Sequence, residues 1–362
     1  MLFGNRKMFL HQAGFSLVEI LVGLVIGMLA TLVIMQVFAA YEGQKRTTMG
    51  SADAQTNGSI ALFTIQREAQ MAGFGLSVFD TVNSPLRCTT SPLDVDHDGN
   101  GATPNIGMFP LIIADGGAGA GASDSITIRY STDGASAKSG IAVKITGIAS
   151  PDVGVDNNLG CNNGDVVMIS KGTSCVMTRV NDNNLATDTT HIGLASTAGV
   201  TISASLACMG AWNQFEYSVV NGQLQRHDAS KVDAAPIVSD IVNIQAQYGV
   251  SAIANSNQVT SWVDASGAVW GPAITVADRN RIKAIRVAVV ARNGLMEKDN
   301  VTFTCSSLTA AAPTGLCAWA GTAGSPAPAI DLSNDANWQR YRYRVYETII
   351  PLRNMVWSRS IL

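Results

Sequence analysis

From Phe15 to Ala40 the chain carries one formal charge, Glu19, in an otherwise uncharged and mostly apolar run. About 20 apolar residues cross a bilayer as a helix, so this run is long enough to span one. A lone carboxylate five residues into such a segment is costly and requires a partner. Arg6 and Lys7 precede the run in a short leader. An ordinary secretory signal has an apolar core of roughly 7–15 residues, which this run exceeds, although Val37-Phe38-Ala39 offers a small-residue cleavage site. A plain anchor would hold Arg6 and Lys7 in the cytoplasm and export the rest of the chain. Neither reading accounts for Glu19 or for the Gly14–Phe15 step.

The basic leader ending in Gly14, then Phe15-Ser16-Leu17-Val18-Glu19, then an unbroken apolar helix, resembles the class III signal of type IV pilins and type II secretion pseudopilins. The resemblance implies cleavage between Gly14 and Phe15 by a prepilin peptidase and methylation of the new Phe15 amine. The spacing fits such a use. Phe15 and Glu19 are four apart and share a helix face. The carboxylate stands near the helix N-terminus, where the macrodipole favours an anion. In a bundle of such helices the Phe15 amine of one subunit would pair with Glu19 of a neighbour, which makes Glu19 an assembly contact.

Beyond Tyr41 the sequence turns polar but keeps an apolar recurrence at Ile60, Leu62, Phe63, Ile65, Ala69 and Ala72. This predicts a continuing amphipathic helix, with Gly73-Phe74-Gly75 as its stop. A helix from Phe15 to Ala72 would measure on the order of 85 Å at 1.5 Å per residue. Gly43, Gly50 and Gly58 weaken it and permit bends. The expected organisation is a leader (1–14), a transmembrane or filament-core helix (15–40), its amphipathic continuation (41–75) and a globular head (76–362).

The head is expected to be β-rich, which makes the fold α+β. Charged residues are only 14% of the chain and glycines number 34, which suits strands and loops better than a charged helical bundle. Predicted strands cover 109–113, 125–131, 141–148, 165–171, 175–180, 282–292 and 301–305. Phe215–Val220, Asn221-Gly222 and Gln223–His227 form the clearest hairpin, since Asn-Gly supplies the two positive φ values of a type I′ turn. Residues 237–250 read as one long strand or a bent pair, and 306–337 as a loop. Gly116–Ala122 lacks the spacing of a phosphate loop and reads as a flexible connection.

Six cysteines behind an exporting helix suit disulfides in an oxidising compartment. Close spacing favours Cys161–Cys175 and Cys305–Cys317, which leaves Cys88–Cys208. Asp94, Asp96, Asp98 and Asn100, with Gly99 at the turn, are similar to the first half of a calcium loop and would ligate Ca²⁺. Position twelve is Asn105 instead of the bidentate Glu, so a solvated turn is the competing and favoured reading. No other cofactor is indicated.

Of the four histidines, His11 is in the leader, and His97, His191 and His227 each stand alone. No zinc-protease, nucleophile-elbow or P-loop motif is present, so no enzyme is expected. Net side-chain charge is −3 overall and 22 − 27 = −5 without Arg6 and Lys7, which gives no global attraction to nucleic acid. Arg340-Tyr341-Arg342-Tyr343-Arg344 alternates strictly. It reads as an edge strand with a solvated basic face and a buried aromatic face, in preference to a DNA-binding or adhesive surface.

Residues 240–249, residues 344–354 and Gln66-Arg67-Glu68 followed by Ala72-Gly73-Phe74-Gly75 are similar to the PilW family of minor pilins. That resemblance implies a role in priming or capping type IV pilus assembly, with twitching motility, adhesion and DNA uptake as the activities served. The implied partners are other minor pilins, the major pilin, the prepilin peptidase and the inner-membrane assembly machinery. The implied location is the bacterial inner membrane with a periplasmic head, and the pilus after assembly. The alternative is a type II secretion pseudopilin, which shares the same signal.

Overall fold

The apolar run and its polar continuation form one helix, α1 (Leu17–Met71), in a computed structural model. The structure describes residues 14–76, 82–88, 93–94, 109–132, 142–158, 160–182, 188–229 and 231–357. It falls into two compact units, one ending at Ser51 and the other beginning at Ala52. In the first unit every residue from Gly14 to Tyr41 is exposed.

Within the second unit, α1 buries a narrow stripe at Ala54, Gly58, Ala61, Ile65, Ala69 and Ala72, spaced three or four apart as a helix face requires. Ile60 and Phe63, expected on this face, point outward at 47% and 64% exposure. Apart from Ile65 the buried stripe is Ala and Gly, and at Gly58 the sheet lies close against it. Gly58 is not a hinge as expected. A Cβ there would sit 2.2 Å from the Tyr346 ring and 3.2 Å from the Ala291 methyl. The helix stops as expected, with Gly73 at φ +76° and Gly75 at φ +87°. Its last carbonyls are satisfied from afar, because the Asn354 amide donates to the Ala72 carbonyl at 2.8 Å.

The head strands are β1 (Leu93–Asp94), β2 (Leu111–Ala114), β3 (Ser125–Thr132), β4 (Val143–Ala149), β5 (Asp152–Val155), β6 (Val166–Lys171), β7 (Ser174–Asp182) and β8 (His191–Leu194). Next come β9 (Ser205–Cys208), β10 (Ala211–Val220), β11 (Gln223–Asp228), β12 (Ala235–Ser239), β13 (Ile241–Ser251) and β14 (Val259–Asp264). Short helices α2 (Gly267–Trp270) and α3 (Val276–Arg279) lead to β15 (Ile282–Met296), β16 (Tyr341–Pro351) and α4 (Arg353–Trp357).

Two sheets enclose the main core. One is ordered β12-β11-β10-β3-β2 and the other β14-β13-β15-β16. Ile65, Ile126, Ile128, Tyr217, Ile244, Val287 and Val289 belong to that single core cluster. The predicted hairpin is β10–β11, with Asn221 at φ 52° and Gly222 at φ 73°. Residues 237–250 are two strands in different sheets, broken at Asp240, whose φ is 60°. β15 is buried on both faces, in keeping with its apolar run. Val287, Val289 and Ala291 face the main core, whereas Ala288 and Val290 face Leu316, Trp319, Ile330 and Leu332. Residues 306–337 are therefore a packed cover over the second face of the sheet and more than a loop. Val301–Cys305 is no strand; only an isolated bridge joins Thr304 to Leu316.

The remaining strands make a third element that the strand pattern does not predict. Their order is β1-β7-β6-β9-β4-β5-β8, and β8 also pairs with β7, so six strands close into a small barrel. The chain leaves the five-stranded sheet at Thr132 and re-enters at Ala211, which is Thr132's direct partner. The barrel is thus an insertion between two adjacent strands. Its strands β6, β7 and β9 are buried on both faces. Val167, Ile169 and Leu206 fill the barrel, whereas Val166, Met168 and Ala207 join the main core.

This two-faced burial corrects the expected disulfides. Cys175 points to the main core and pairs with Cys88, with Cα atoms 6.0 Å apart. Cys161 and Cys208 point into the barrel and pair with each other at 5.2 Å. Cys161–Cys175 and Cys88–Cys208 are not formed, because the pleat sends their side chains to opposite faces. Cys305–Cys317 closes the cover as expected, at 4.8 Å.

The glycine-rich connection between β2 and β3 is pinned by Asp124, 3% exposed. Its two carboxylate oxygens accept from the Gly116 N–H at 2.9 Å and the Ala246 N–H at 2.7 Å, so the loop is tied to β13. Burial pushes this carboxyl from 3.8 up to about 7, against the pull of the two N–H donors, with Asp115 and Asp264 pushing the same way.

This packing can be tested at two positions. Gly58→Ala gains up to about 1 kcal/mol of helix propensity, but overpacking costs roughly 1–3 kcal/mol, so the variant is expected to melt lower than the parent. A raised Tm would contradict the close approach of α1 to β16. For Asp124, the folded chain holds a proton between about pH 4 and 7 that the unfolded chain releases. Its contribution therefore favours the fold below that window, falls as pH rises through it, and is level above. Denaturant titration at about pH 5 and pH 8 should show that fall, and Asp124→Asn should flatten it.

Candidate assembly segment and head surface

The expected processing step lies just ahead of the helix. Gly14 has no heavy atom within 4 Å of where a Cβ would stand, and Phe15 is 81% exposed. Ser16 closes the N-terminus of α1. Its Oγ accepts from the Val18 N–H at 3.3 Å, and its carbonyl accepts from the Glu19 and Ile20 N–H groups at 3.0 and 3.2 Å. Glu19 stands in the first helical turn. Ser16-x-x-Glu19 has the spacing of a capping box, a further local signal that the sequence carries at this step. No cation lies beside the exposed Glu19 carboxylate among the described residues.

The helical segment after Glu19 is long and apolar enough to cross a membrane by length and composition, with a mean hydropathy of 2.7 over its best 18-residue window. None of that window is buried within the chain. An apolar surface of this extent is far larger than soluble monomers expose, and it demands lipid or other helices.

The calcium reading falls almost wholly outside the described residues. Asp96, Asp98 and Asn100 lie there, and Asp94 is described only as part of β1, paired in parallel with Met177. Among the described residues no three His, Cys, Asp or Glu side chains gather as a metal site. His191 bonds to Asp188 at 2.7 Å, and Asp188 also accepts from the Thr190 hydroxyl at 2.9 Å, so the group is a local exposed turn. The His227 ring meets the Lys231 carbonyl at 3.0 Å.

The alternating arginines lie where expected, on and beside edge strand β16. Arg342 donates to the Glu297 carboxylate at 2.8 Å, and Arg340 to the Glu297 carbonyl at 2.9 Å. Tyr343 and Val345 pack instead toward the cover. Glu297 thus answers part of the basic face, a partner 45 residues from Arg342 that no local pattern reveals.

An apolar N-terminal helix opened by a Gly-Phe step and continued into a β-rich, disulfide-bonded head is an α+β plan. Residues 210–354 match the family model of type IV pilus-assembly protein W (PilW). The PilW resemblance is thus shown for the stretch from β10 to the start of α4, which includes residues 240–249 and 344–354. Over this stretch the head is similar to a type IV pilus-assembly protein. A type IV-like pilin from Thermus thermophilus aligns with 84% of this chain and 97% of its own, at 10% identity and a TM-score of 0.33. No curated protein matches the chain.

Because Glu297 engages Arg340 and Arg342, the full chain in detergent micelles is expected to show no salt-dependent retention on duplex DNA. Retention that falls steeply between about 50 and 200 mM salt would instead assign the arginine face to DNA.

Proposed function

We propose that this protein is a minor pilin that takes part in initiating or capping type IV pilus assembly together with other minor pilins. Prepilin peptidase would cleave it between Gly14 and Phe15, with methylation of the Phe15 amine. The inner membrane would hold the helix before assembly, with the head on the periplasmic side. Twitching motility, adhesion and DNA uptake are then served through the pilus, and the head performs no catalysis.

The observation that carries this reading is the pairing of two features. One is a capped, exposed apolar helix whose sole charge up to Ala40, Glu19, has no partner among the described residues. The other is a head that matches the pilus-assembly family over 210–354. An unneutralised carboxylate at the start of a membrane helix is expensive. The amine released at Phe15 of a neighbouring subunit would neutralise it, and methylation keeps that charge. Subunits that place amine beside carboxylate would be favoured over staggered arrangements, so the pair would set the axial register.

Mass spectrometry of the mature protein should show an N-terminus at methylated Phe15; an N-terminus near Ala39 would overturn the reading. In a strain carrying Glu19→Ala, the protein should be made and cleaved but should enter sheared pili poorly, with fewer surface pili. Normal incorporation would remove Glu19 from assembly.

A further inference from the structure

A cleft of about 200 Å³ opens in the head where the β10–β11 turn, the cover and strands β13, β15 and β16 meet. Its polar lining comes from Asn221 at the hairpin tip, Asn334 and Asp335 on the cover, Arg292 on β15 and Tyr343 on β16. Four separate stretches of chain therefore supply it, and nothing in the local sequence marks it.

The hydrogen-bonding state of these groups is informative. The side-chain amides of Asn221 and Asn334 have no hydrogen-bond partner among the described residues, nor has the Tyr343 hydroxyl. The Arg292 guanidinium stands 3.6 Å from Asp335, an ion-pair distance too long for a good hydrogen bond. Its central carbon lies over the Tyr341 ring, 4.8 Å from the centroid, at cation–π distance. Burial pushes the Tyr343 phenol up to about 12, so it stays a hydroxyl at neutral pH.

Donors and acceptors are therefore interleaved around one small space: two amides offering both, a guanidinium that donates, a carboxylate that accepts and a phenol that does either. The charges of Arg292 and Asp335 cancel. A free anion would meet Asp335, and a free cation would meet Arg292. Val242 and Leu332 add apolar patches to the lining. The volume lies below the roughly 300–1,000 Å³ of sites for drug-sized ligands, which limits the occupant to one small ring. Neutral, ring-sized, hydroxyl-rich and apolar on one face is the chemistry of a pyranose.

We propose that this cleft binds a single neutral monosaccharide unit, with Asn221, Asn334, Asp335 and Arg292 bonding its hydroxyls. The site lies on the head and does not depend on the assembly reading for Glu19.

The test is saturation-transfer NMR on the full chain in a phosphocholine detergent, which avoids sugar headgroups. The probes are D-glucose, D-galactose, D-mannose and N-acetyl-D-glucosamine, with sodium acetate as the anion control. Transfer to the ring protons of at least one sugar is expected, with no competition from acetate. Asn334→Ala removes an exposed amide, and Asn221→Gly retains the left-handed turn conformation while deleting the amide. Each variant is expected to weaken the bound sugar about tenfold, the loss of one good hydrogen bond, with an unchanged Tm. No transfer to any of the four sugars, transfer unaltered in both variants, or displacement by acetate would each overturn the proposal.

Discussion

The head depends on how closely α1 approaches the four-stranded sheet. Ala54, Gly58, Ala61, Ala69 and Ala72 give the helix a nearly smooth face, and Tyr346 lays its ring where a side chain at position 58 would be. A helix stripe of larger residues would hold the sheet off and open voids on both sides, since protein interiors tolerate neither gaps nor overlap of a methyl group. The close approach also places the end of α1 near Asn354, whose amide satisfies its last carbonyls. One packing decision thus links the end of the long helix to residues near the other end of the chain.

Strand β15 depends on that decision and passes it on. Its inner face completes the core that the helix seals, and its outer face receives the cover closed by Cys305–Cys317. A strand buried twice reads as an uninterrupted apolar run, which is why residues 282–292 are legible as a central strand. Its cover is not legible. Leu316, Trp319, Ile330 and Leu332 are scattered among Ala, Gly, Pro and Ser with no helical or strand period, so the stretch resembles a solvated loop. Packing without periodicity leaves no local pattern to read.

The barrel escapes the sequence pattern for a related reason. Several of its strands are legible singly, yet the barrel rests on β5–β8 and β4–β9 pairings between short strands far apart in sequence. Two-faced burial of β6, β7 and β9 also erases the alternation that would show which face meets which core. The same fact defeats the spacing argument for the cysteines: Cys161 and Cys175 are close in sequence but face different cores. The start of the long helix, by contrast, is legible because its signals are local. Gly14, Phe15, Ser16 and Glu19 lie within six residues of one another, and a short-range constraint writes itself into short-range spacing.

The two parts of the molecule solve opposite problems. In the head, buried polar groups such as Asp124 and Asn354 find partners in distant segments of the same chain. In the exposed stretch of α1, neither the apolar surface nor Glu19 finds one among the described residues. The chain alone leaves that stretch unfinished: lipid suits its apolar surface but does nothing for the carboxylate. A partner that supplied only an apolar helix would fail in the same way. On the proposed function, a partner would bring a positive charge to the level of the first helical turn, and the amine that cleavage after Gly14 would expose is a cation placed to supply it. Proteolysis at Gly14 would thereby convert an unsatisfied subunit into one that satisfies its neighbour.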